Sequence, residues 1–410
     1  MKLFILSFIS IVQYYSIIFT FSADNPNVLL GIDQIENENF SILEGKRVGL
    51  ITNQTGVNYT GLKTRSVLFN SSKVNLVALY TPEHGLDGDE IAGKWVSSRV
   101  DKLTGLKAYS LYGKTRKPDA KMLKGVDVLV FDIQDVGARC YTYVSTMGLC
   151  MEAAAENDIE FIVLDRPNPV GGDIVEGPPI TDKWLSFVGM FPLPFRHGLT
   201  IGEIARMSVG EGWLKENPKL TVIQMKGWSR KMNWMDTGLK WVQTSPNIPR
   251  AESCYYYLLC CIPQHVPGVF SGLGTAKPFQ SLTRKNFNED NFVEVLNSIK
   301  MLDLEVKPFS DKSKGLQGGV DLKITNFNNK KLVSSGIRIL KIMFDDLIKK
   351  DQDLFLIEKK YSMNLLYKIF GSDQIGGKDF LISSIDEILL DWAPHIELFK
   401  TNREKYLLYR

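Results

Sequence analysis

The stretch VDVLVFDIQD, residues 126–135, is a short and nearly continuous run of apolar side chains that ends in polar ones. Three other stretches have the same form: RVGLITN (47–53), VNLVALYTPEH (74–84) and IEFIVLDRPN (159–168). Apolar runs of this length, rich in β-branched and aliphatic residues, are typical of strands that are buried on both faces, as in a parallel sheet. The four stretches therefore predict four parallel strands.

Helix-forming stretches lie between these predicted strands. The segment LKTRSVLFNSS follows the first strand, and YTYVSTMGLCMEAAAEND (141–158) precedes the fourth. The MEAAAE core of the second segment consists of strong helix formers. Strands that alternate with helices predict an α/β domain with a doubly wound parallel sheet.

Polar side chains follow each predicted strand at the point where the strand ends. In open α/β sheets, ligands bind beyond the carboxyl ends of the strands, so these side chains mark the expected ligand-binding rim. Its members are Asn53, Glu83, His84, Asp132, Gln134, Asp135, Asp165, Arg166 and Asn168.

Several ligand classes have no matching motif in the sequence. No G-x-G-x-x-G follows the first strand, and neither a P-loop nor a G-x-S-x-G elbow is present, which argues against a dinucleotide and an α/β-hydrolase triad. The four histidines have no recognised zinc spacing, so we expect no metal and no cofactor. A formal net charge of +3 over 410 residues does not predict a nucleic-acid partner. The carboxylates, arginines and amides that remain suit acid–base chemistry on a polar substrate such as a sugar.

The N-terminus has the layout of a secretory signal peptide. Lys2 precedes an apolar stretch that ends in small residues near Ala23, so we predict a signal peptide over residues 1–23 and a secreted, extracellular protein. The alternative is an uncleaved membrane anchor, because the apolar stretch approaches spanning length. Of the five cysteines, we expect Cys140 and Cys150 to be buried thiols and leave a bridge among the other three open.

Six sequence blocks resemble the exo-β-N-acetylmuramidase family of glycoside hydrolases. They appear in the family's order between residues 45 and 250, and they read GLITNQTGV, TPEHGLDG, VLVFDIQDVGARCYTYVSTM, LDRPNPVGGDIVEGP, PFRHGLTIGEIA and TSPNIP. The resemblance implies a Rossmann-like catalytic domain over residues 24–250 and a smaller α+β auxiliary domain over residues 251–410. It also implies release of terminal β-linked N-acetylmuramic acid from peptidoglycan fragments, with a peptidoglycan-derived sugar or muropeptide as the substrate.

The resemblance assigns expected roles to single residues. Glu83 matches the glutamate of the family's Pro-Glu-His-Gly motif and is the expected catalytic carboxylate, with Asp132 or Asp135 as its partner. An N-acetyl sugar can instead supply its own acetamido oxygen as the nucleophile. Arg139 is expected to clamp the lactyl carboxylate of muramic acid. The other expected substrate-binding residues are Asn53, His84, Asp165, Arg166, Asn168, Glu176 and His197.

Structural alternatives exist for several of these residues. His84 suits a structural histidine as well as a ligand, and Arg139 suits an internal ion pair that fixes its loop. Asp165 and Asn168 lie in a proline- and glycine-rich block, where such side chains also cap backbone groups. Glu203 has capping-box spacing from Thr200, which favours a structural role.

The chain departs from the family pattern at three positions. Asp87 and Leu273 stand where the family has arginine, and His265 stands where it has glutamate. These losses raise a second hypothesis, a catalytically impaired relative that binds peptidoglycan sugars. A third hypothesis, a metal-dependent hydrolase that uses His84 and His197, is disfavoured by the small number of clustered histidines.

Overall fold

A seven-stranded sheet forms the core of the N-terminal half of the chain, and a four-stranded sheet lies in the C-terminal half. The computed structural model describes residues 27–266, 268–284, 293, 303–309, 319–328, 330–351, 363–376 and 383–410. The predicted signal peptide, residues 1–23, lies outside the described residues. The strands of the large sheet are β1 (Arg47–Thr52), β2 (Asn75–Thr81), β3 (Arg99–Val100), β4 (Lys107–Ser110), β5 (Val128–Asp132), β6 (Glu160–Leu164) and β7 (Leu220–Ile223).

The large sheet confirms the predicted α/β fold. Its order is β3-β4-β2-β1-β5-β6-β7, and every neighbouring pair is parallel except β3 with β4. Strand β5 is buried at every position: Leu129 and Phe131 belong to one apolar core, and Val128 and Val130 belong to a second core. Burial on both faces is why this strand reads as an uninterrupted apolar run.

Helices pack around the large sheet and in the C-terminal half. They are α1 (Gly31–Asn37), α2 (Thr64–Asn70), α3 (Tyr143–Glu156), α4 (Ile201–Gly210), α5 (Ser253–Cys260), α6 (Leu332–Asp351), α7 (Asn364–Phe370) and α8 (Ile385–Arg403). Helix α4 begins with the expected capping box, in which Thr200 Oγ1 accepts from the Glu203 N–H at 3.2 Å and Glu203 Oε2 accepts from the Thr200 N–H at 3.0 Å. Among the helices in the described part of the chain, none is long and apolar enough to cross a membrane.

The smaller sheet is antiparallel and belongs to the C-terminal half. Its strands are β8 (Val269–Phe270), β9 (Ser281–Arg284), β10 (Leu304–Pro308) and β11 (Gly319–Ile324), in the order β10-β11-β9-β8.

All five cysteines are buried free thiols, so the bridge left open among Cys254, Cys260 and Cys261 is not formed. The Cys140 and Cys261 sulfurs are 3.5 Å apart.

The strand order reverses between β1 and β5. From β1 the chain adds β2 and β4 on one side, whereas β5, β6 and β7 lie on the other side. Such a reversal leaves a crevice at the carboxyl ends of the strands. The loops that follow β1, β2 and β5 therefore converge at one edge of the sheet.

Candidate active site

Glu83 lies just beyond the carboxyl end of β2 and is half-buried. Its Oε1 accepts a hydrogen bond from the Gly93 N–H at 2.8 Å, and its Oε2 accepts one from Thr142 Oγ1 at 2.9 Å. The Tyr112 hydroxyl is a third partner, and burial together with the Glu83 charge raises the pKa of Tyr112 to about 12. Because the three partners come from separate loops, the carboxylate has a defined orientation.

Buried polar groups lie on the inner side of Glu83. The Tyr143 phenol, which feels the Glu83 charge, donates to the Thr244 carbonyl at 2.7 Å, and burial raises the pKa of Tyr143 well above its usual value. Asn53 turns its Oδ1 toward the N–H and hydroxyl of Thr55, at 2.9 and 2.5 Å. Its Nδ2 is buried beside the Tyr143 phenol. Asn53 therefore belongs to this buried layer, and its predicted contact with the substrate stays a prediction.

His84 fixes the loop that follows Glu83. The ring is buried, and its Nδ1 is 2.8 Å from the Glu90 carbonyl oxygen. Because a carbonyl oxygen only accepts, Nδ1 must carry the proton in this contact. The backbone of His84 has φ +70, a left-handed conformation. The imidazole therefore orders the turn, and this contact supports the structural alternative for His84.

The structure argues against a catalytic role for Asp132. Its carboxylate is completely buried and forms a two-pronged ion pair with Arg166, at 2.6 Å to Nε and 2.9 Å to Nη2. Thr64 Oγ1 donates to the same carboxylate at 2.5 Å. Because its oxygens are occupied inside the protein, these contacts favour a structural role, and the expected place of Asp132 beside Glu83 stays a prediction. The Arg166 Nη2 that contacts Asp132 also donates to the Val57 carbonyl.

Asp165 and Asn168 also turn inward, which favours their structural alternative, and their predicted substrate contacts stay predictions. Asp165 is completely buried and accepts from the Gly202 N–H at 2.8 Å, at the start of α4, and from the Tyr409 hydroxyl at 2.6 Å. Burial raises the pKa of Asp165 to about 7. Asn168 donates to the Leu199 carbonyl and accepts from the Val170 N–H. Both side chains cap backbone groups, as their structural alternative supposed.

Arg139 and Glu176 join the two halves of the molecule. The Arg139 guanidinium is buried and donates to four carbonyl oxygens, those of Pro178, Leu193, Ile369 and Phe370, at 2.7 to 3.0 Å. The last two carbonyls are at the end of α7, where a cation is favourable. Burial lowers the pKa of Arg139 to about 10. These contacts favour a structural role for Arg139, and its predicted contact with a substrate carboxylate stays a prediction.

Glu176 caps α6 from the opposite half. Its carboxylate accepts from the Val333 N–H at 3.0 Å and from the Ser334 N–H at 2.7 Å, both in the first turn of the helix. A carboxylate at a helix N-terminus satisfies backbone donors and complements the helix dipole. The cap favours a structural role for Glu176, and its predicted substrate contact stays a prediction.

Asp135 and His197 form a buried pair beneath the rim. The His197 Nε2 is 3.9 Å from Asp135 Oδ2, which accepts from the Gly137 N–H at 2.7 Å. Burial raises the pKa of Asp135 to about 7 and lowers that of His197 to about 3. Among the described residues, neither Asp135 Oδ1 nor His197 Nε2 has a hydrogen-bond partner. The pair therefore lies in the interior, and burial moves the pKa values of both side chains away from their usual values.

The departure at Asp87 has its own structural use. Asp87 Oδ1 is 2.6 Å from the buried Arg65, and its other oxygen pairs with Arg99. The two guanidinium groups hold the pKa of Asp87 below its usual value despite partial burial. Arg65 also pairs with the buried Asp101 at 3.4 Å, so the two arginines and the two aspartates balance at this part of the rim.

Gly93, Tyr112, Thr142, Tyr143 and Thr244 are the site residues that sequence reasoning missed. Two of the blocks that resemble the family contain the Tyr-Thr-Tyr run at 141–143 and the Thr-Ser of TSPNIP. Their sequence does not indicate that these hydroxyl groups contact the rim. Tyr112 and Gly93 reach Glu83 through loop packing that no local pattern reveals. The assembled group, a carboxylate with hydroxyls and an amide donor, suits proton transfer to a hydroxylated substrate. The described residues contain no group of three His, Cys, Asp or Glu side chains placed to hold a metal ion.

Comparison with known proteins gives concordant matches over nearly the whole chain. The family model for the N-terminal domain of exo-β-N-acetylmuramidase NamZ matches residues 48–252, and the model for its C-terminal domain matches residues 255–409. The chain is 39% identical over 394 residues to the peptidoglycan β-N-acetylmuramidase NamZ of Bacillus subtilis, which covers 95% of this chain and 93% of that protein.

Two crystal structures of DUF1343 family proteins from Bacteroides fragilis are similar to this chain. The first has a TM-score of 0.85 at 38% identity and covers 94% of this chain and 99% of its own. The second has a TM-score of 0.68 at 30% identity and covers 93% of this chain and 99% of its own.

Proposed function

The chain belongs to the exo-β-N-acetylmuramidase NamZ family, and from this premise we propose that it releases terminal β-linked N-acetylmuramic acid from peptidoglycan fragments. It is accordingly a glycoside hydrolase. The observation that carries the proposal is the Glu83 carboxylate, held by Gly93, Thr142 and Tyr112 at the end of β2.

Glu83 is the proton donor to the glycosidic oxygen in this proposal. It is the half-buried carboxyl of the predicted catalytic set, whereas Asp132 is completely buried in its ion pair with Arg166. A general acid of this kind accelerates glycoside cleavage by about 10²–10⁴-fold. Asn53 and Tyr143 are almost completely buried, and the Tyr143 phenol donates to the Thr244 carbonyl, so both support the inner wall of the site behind Glu83.

The nucleophile is the acetamido oxygen of the substrate itself. A second catalytic carboxylate would need free access to the sugar, yet Asp132 is sealed and Asp135 is buried beneath the rim. Substrate assistance is a known exception to the two-carboxylate arrangement, and it retains the configuration at the anomeric carbon. Proton NMR of the first-formed product should therefore show the β anomer, and an α product would refute this assignment.

The alternative of an impaired, sugar-binding relative is not favoured. Asp87, one of the departures that suggested it, sits between Arg65 and Arg99 and leaves the Glu83 environment intact. The secreted location is part of the proposal as well, and it rests on the signal-peptide layout of residues 1–23. Sequencing of the mature N-terminus from the natural source should find a start near Asp24, whereas a retained Met1 would contradict cleavage.

The function is tested by hydrolysis of a chromogenic β-N-acetylmuramide beside the matching β-N-acetylglucosaminide. We expect the wild-type chain to release the chromophore from the muramide and Glu83→Gln to lose that activity while keeping its melting temperature. Turnover of the glucosaminide alone would overturn the muramic acid specificity. Absence of turnover of both, with muropeptide binding intact, would support the impaired relative instead.

A further inference from the structure

Trp95 is exposed to an unusual degree beside the Glu83 carboxylate. Its side chain is 72% exposed, the highest value among the large apolar side chains of the described residues. A single exposed apolar residue needs no explanation on most surfaces. This one lies two residues from Gly93, whose N–H donates to Glu83 Oε1.

The backbone on both sides of Trp95 is fixed to the candidate active site. On one side, Gly93 is hydrogen-bonded to Glu83 at 2.8 Å. On the other side, the Val96 N–H donates to the carbonyl of Tyr112 at 2.8 Å, and the Tyr112 hydroxyl is itself a partner of Glu83. The Lys94 N–H donates to the Ile91 carbonyl at 3.1 Å, which closes a turn directly before the tryptophan. The loop that carries the exposed indole is therefore anchored to two groups that contact Glu83.

The position of Trp95 also indicates which part of the substrate it meets. Asn53 and Tyr143 are almost completely buried, whereas Glu83 is half-buried, so the terminal sugar must reach Glu83 from the side that is open to solvent. The remainder of the glycan then extends into solvent, and the loop that carries the exposed Trp95 contacts Glu83 through Gly93. A rigid indole offers a large apolar face together with one polar N–H, a combination that suits the face of a pyranose ring.

We propose that Trp95 is the binding platform for the sugar on the leaving-group side of the scissile bond, an inference that rests on the proposed glycosidase function. The pyranose face stacks on the indole and aligns the glycosidic oxygen with Glu83. Burial of the exposed indole contributes to binding, and the rigid loop spares the entropy of ordering a mobile one. The ligand class is a β-linked hexosamine without any requirement for an anionic group.

The test compares two substrates that share the terminal sugar but differ in the leaving group. One is the disaccharide of N-acetylmuramic acid β-linked to N-acetylglucosamine, and the other is the β-fluoride of N-acetylmuramic acid, whose leaving group is too small to reach the indole. For Trp95→Ala we expect kcat/KM on the disaccharide to fall about tenfold more than on the fluoride, mainly through KM. Trp95→Phe should recover most of the loss. Ile91→Ala, which truncates a 58% exposed side chain on the same loop, is the matched control and should leave the ratio unchanged.

The outcomes separate this inference from the proposed function. An equal fall on both substrates would overturn the platform, because it would mean that Trp95 only supports the loop around Glu83. An unchanged ratio in Trp95→Ala would overturn it as well. Failure of the wild-type chain to hydrolyse either substrate would instead count against the proposed function. In that case, the change of total tryptophan fluorescence on addition of free N-acetylglucosamine still decides whether the platform binds a sugar. A change in the wild-type chain that is absent in Trp95→Phe would support binding at Trp95, and the same change in both would overturn it.

Discussion

The ends of β2 and β5 both present a carboxylate at the same edge of one sheet, and the two carboxylates have opposite surroundings. Glu83 is half-buried and held by single hydrogen bonds from Gly93 and Thr142. Asp132 is completely buried and saturated by Arg166 and Thr64. The difference teaches that a strand end sets where a carboxylate lies, whereas access and the partners decide whether it can exchange a proton with a substrate.

The largest expected effect is the loss of activity when Glu83, the half-buried carboxylate, is substituted. Glu83→Gln keeps the shape of the side chain and removes its proton, so we expect kcat on a β-N-acetylmuramide to fall by about 10²–10⁴-fold. The melting temperature should stay close to that of the wild-type chain, because the glutamine oxygen can still accept from Gly93 or Thr142. A variant that unfolds instead of losing activity would contradict the comparison.

Substitution of the buried carboxylate, Asp132, should lower stability. Asp132→Asn leaves Arg166 as an uncompensated buried charge, so the free energy of unfolding should fall by about 3–5 kcal/mol. Urea denaturation measures this change, and Glu44→Gln, which removes one partner of the exposed Lys73–Glu44 pair, is the control with little expected effect. If Asp132→Asn retained full stability and lost only activity, a catalytic role for Asp132 would return.

Sequence patterns predicted the buried strands better than the site. The four predicted strands are present because burial on both faces makes them continuous apolar runs. The two-residue β3 and the short β4 carry no such signal and were not predicted. Glu83 could be placed at the rim because its position follows directly from the end of β2.

The closure of the rest of the rim could not be predicted from local sequence. Asp132 is sealed by Thr64, which lies 68 residues away along the chain, and Asp165 is sealed by Tyr409, which lies 244 residues away. Likewise, Arg139 reaches carbonyl groups of α7 that belong to the other half of the molecule. Spacing within a motif indicates that residues share an edge of the sheet, but distant segments decide which of them remain open.

A third carboxyl, Asp135, lies between these extremes and should appear in the pH dependence of stability. Its pKa is raised by burial to about 7, above the value of about 4 expected in the unfolded chain. The folded state therefore holds the proton more tightly than the unfolded chain does. The stability that this proton contributes is complete below about pH 4 and is lost as the pH rises to about 7. Stability should fall by about 1.4 kcal/mol per pH unit within this window for this group.

Urea unfolding at pH 5 and pH 7 checks this expectation. Asp135→Asn cannot titrate at this position, so its stability should decline less between the two pH values than that of the wild-type chain. Asp165, whose pKa burial also raises to about 7, acts in the same direction, whereas His197 and His265, whose pKa values burial lowers to about 3 and about 4, stabilise the folded state as the pH rises. The difference between variant and wild type therefore isolates Asp135. The same decline in variant and wild type would show that Asp135 titrates normally in the folded protein.

The smallest effect concerns the orientation of the open carboxylate. Gly93 has φ +76 and open space where a Cβ would lie, so Gly93→Ala should cost about 1 kcal/mol of conformational strain without a clash. Gly45 has the same φ and the same open space, far along the chain from the rim, which makes Gly45→Ala a matched control. Both variants should lose similar stability, but only Gly93→Ala should lower kcat, by a few fold, since strain at Gly93 shifts the N–H that orients Glu83. If the two variants kept the same kcat, the Gly93 contact would be a feature of the loop alone, and the orientation of Glu83 would depend on Thr142 and Tyr112.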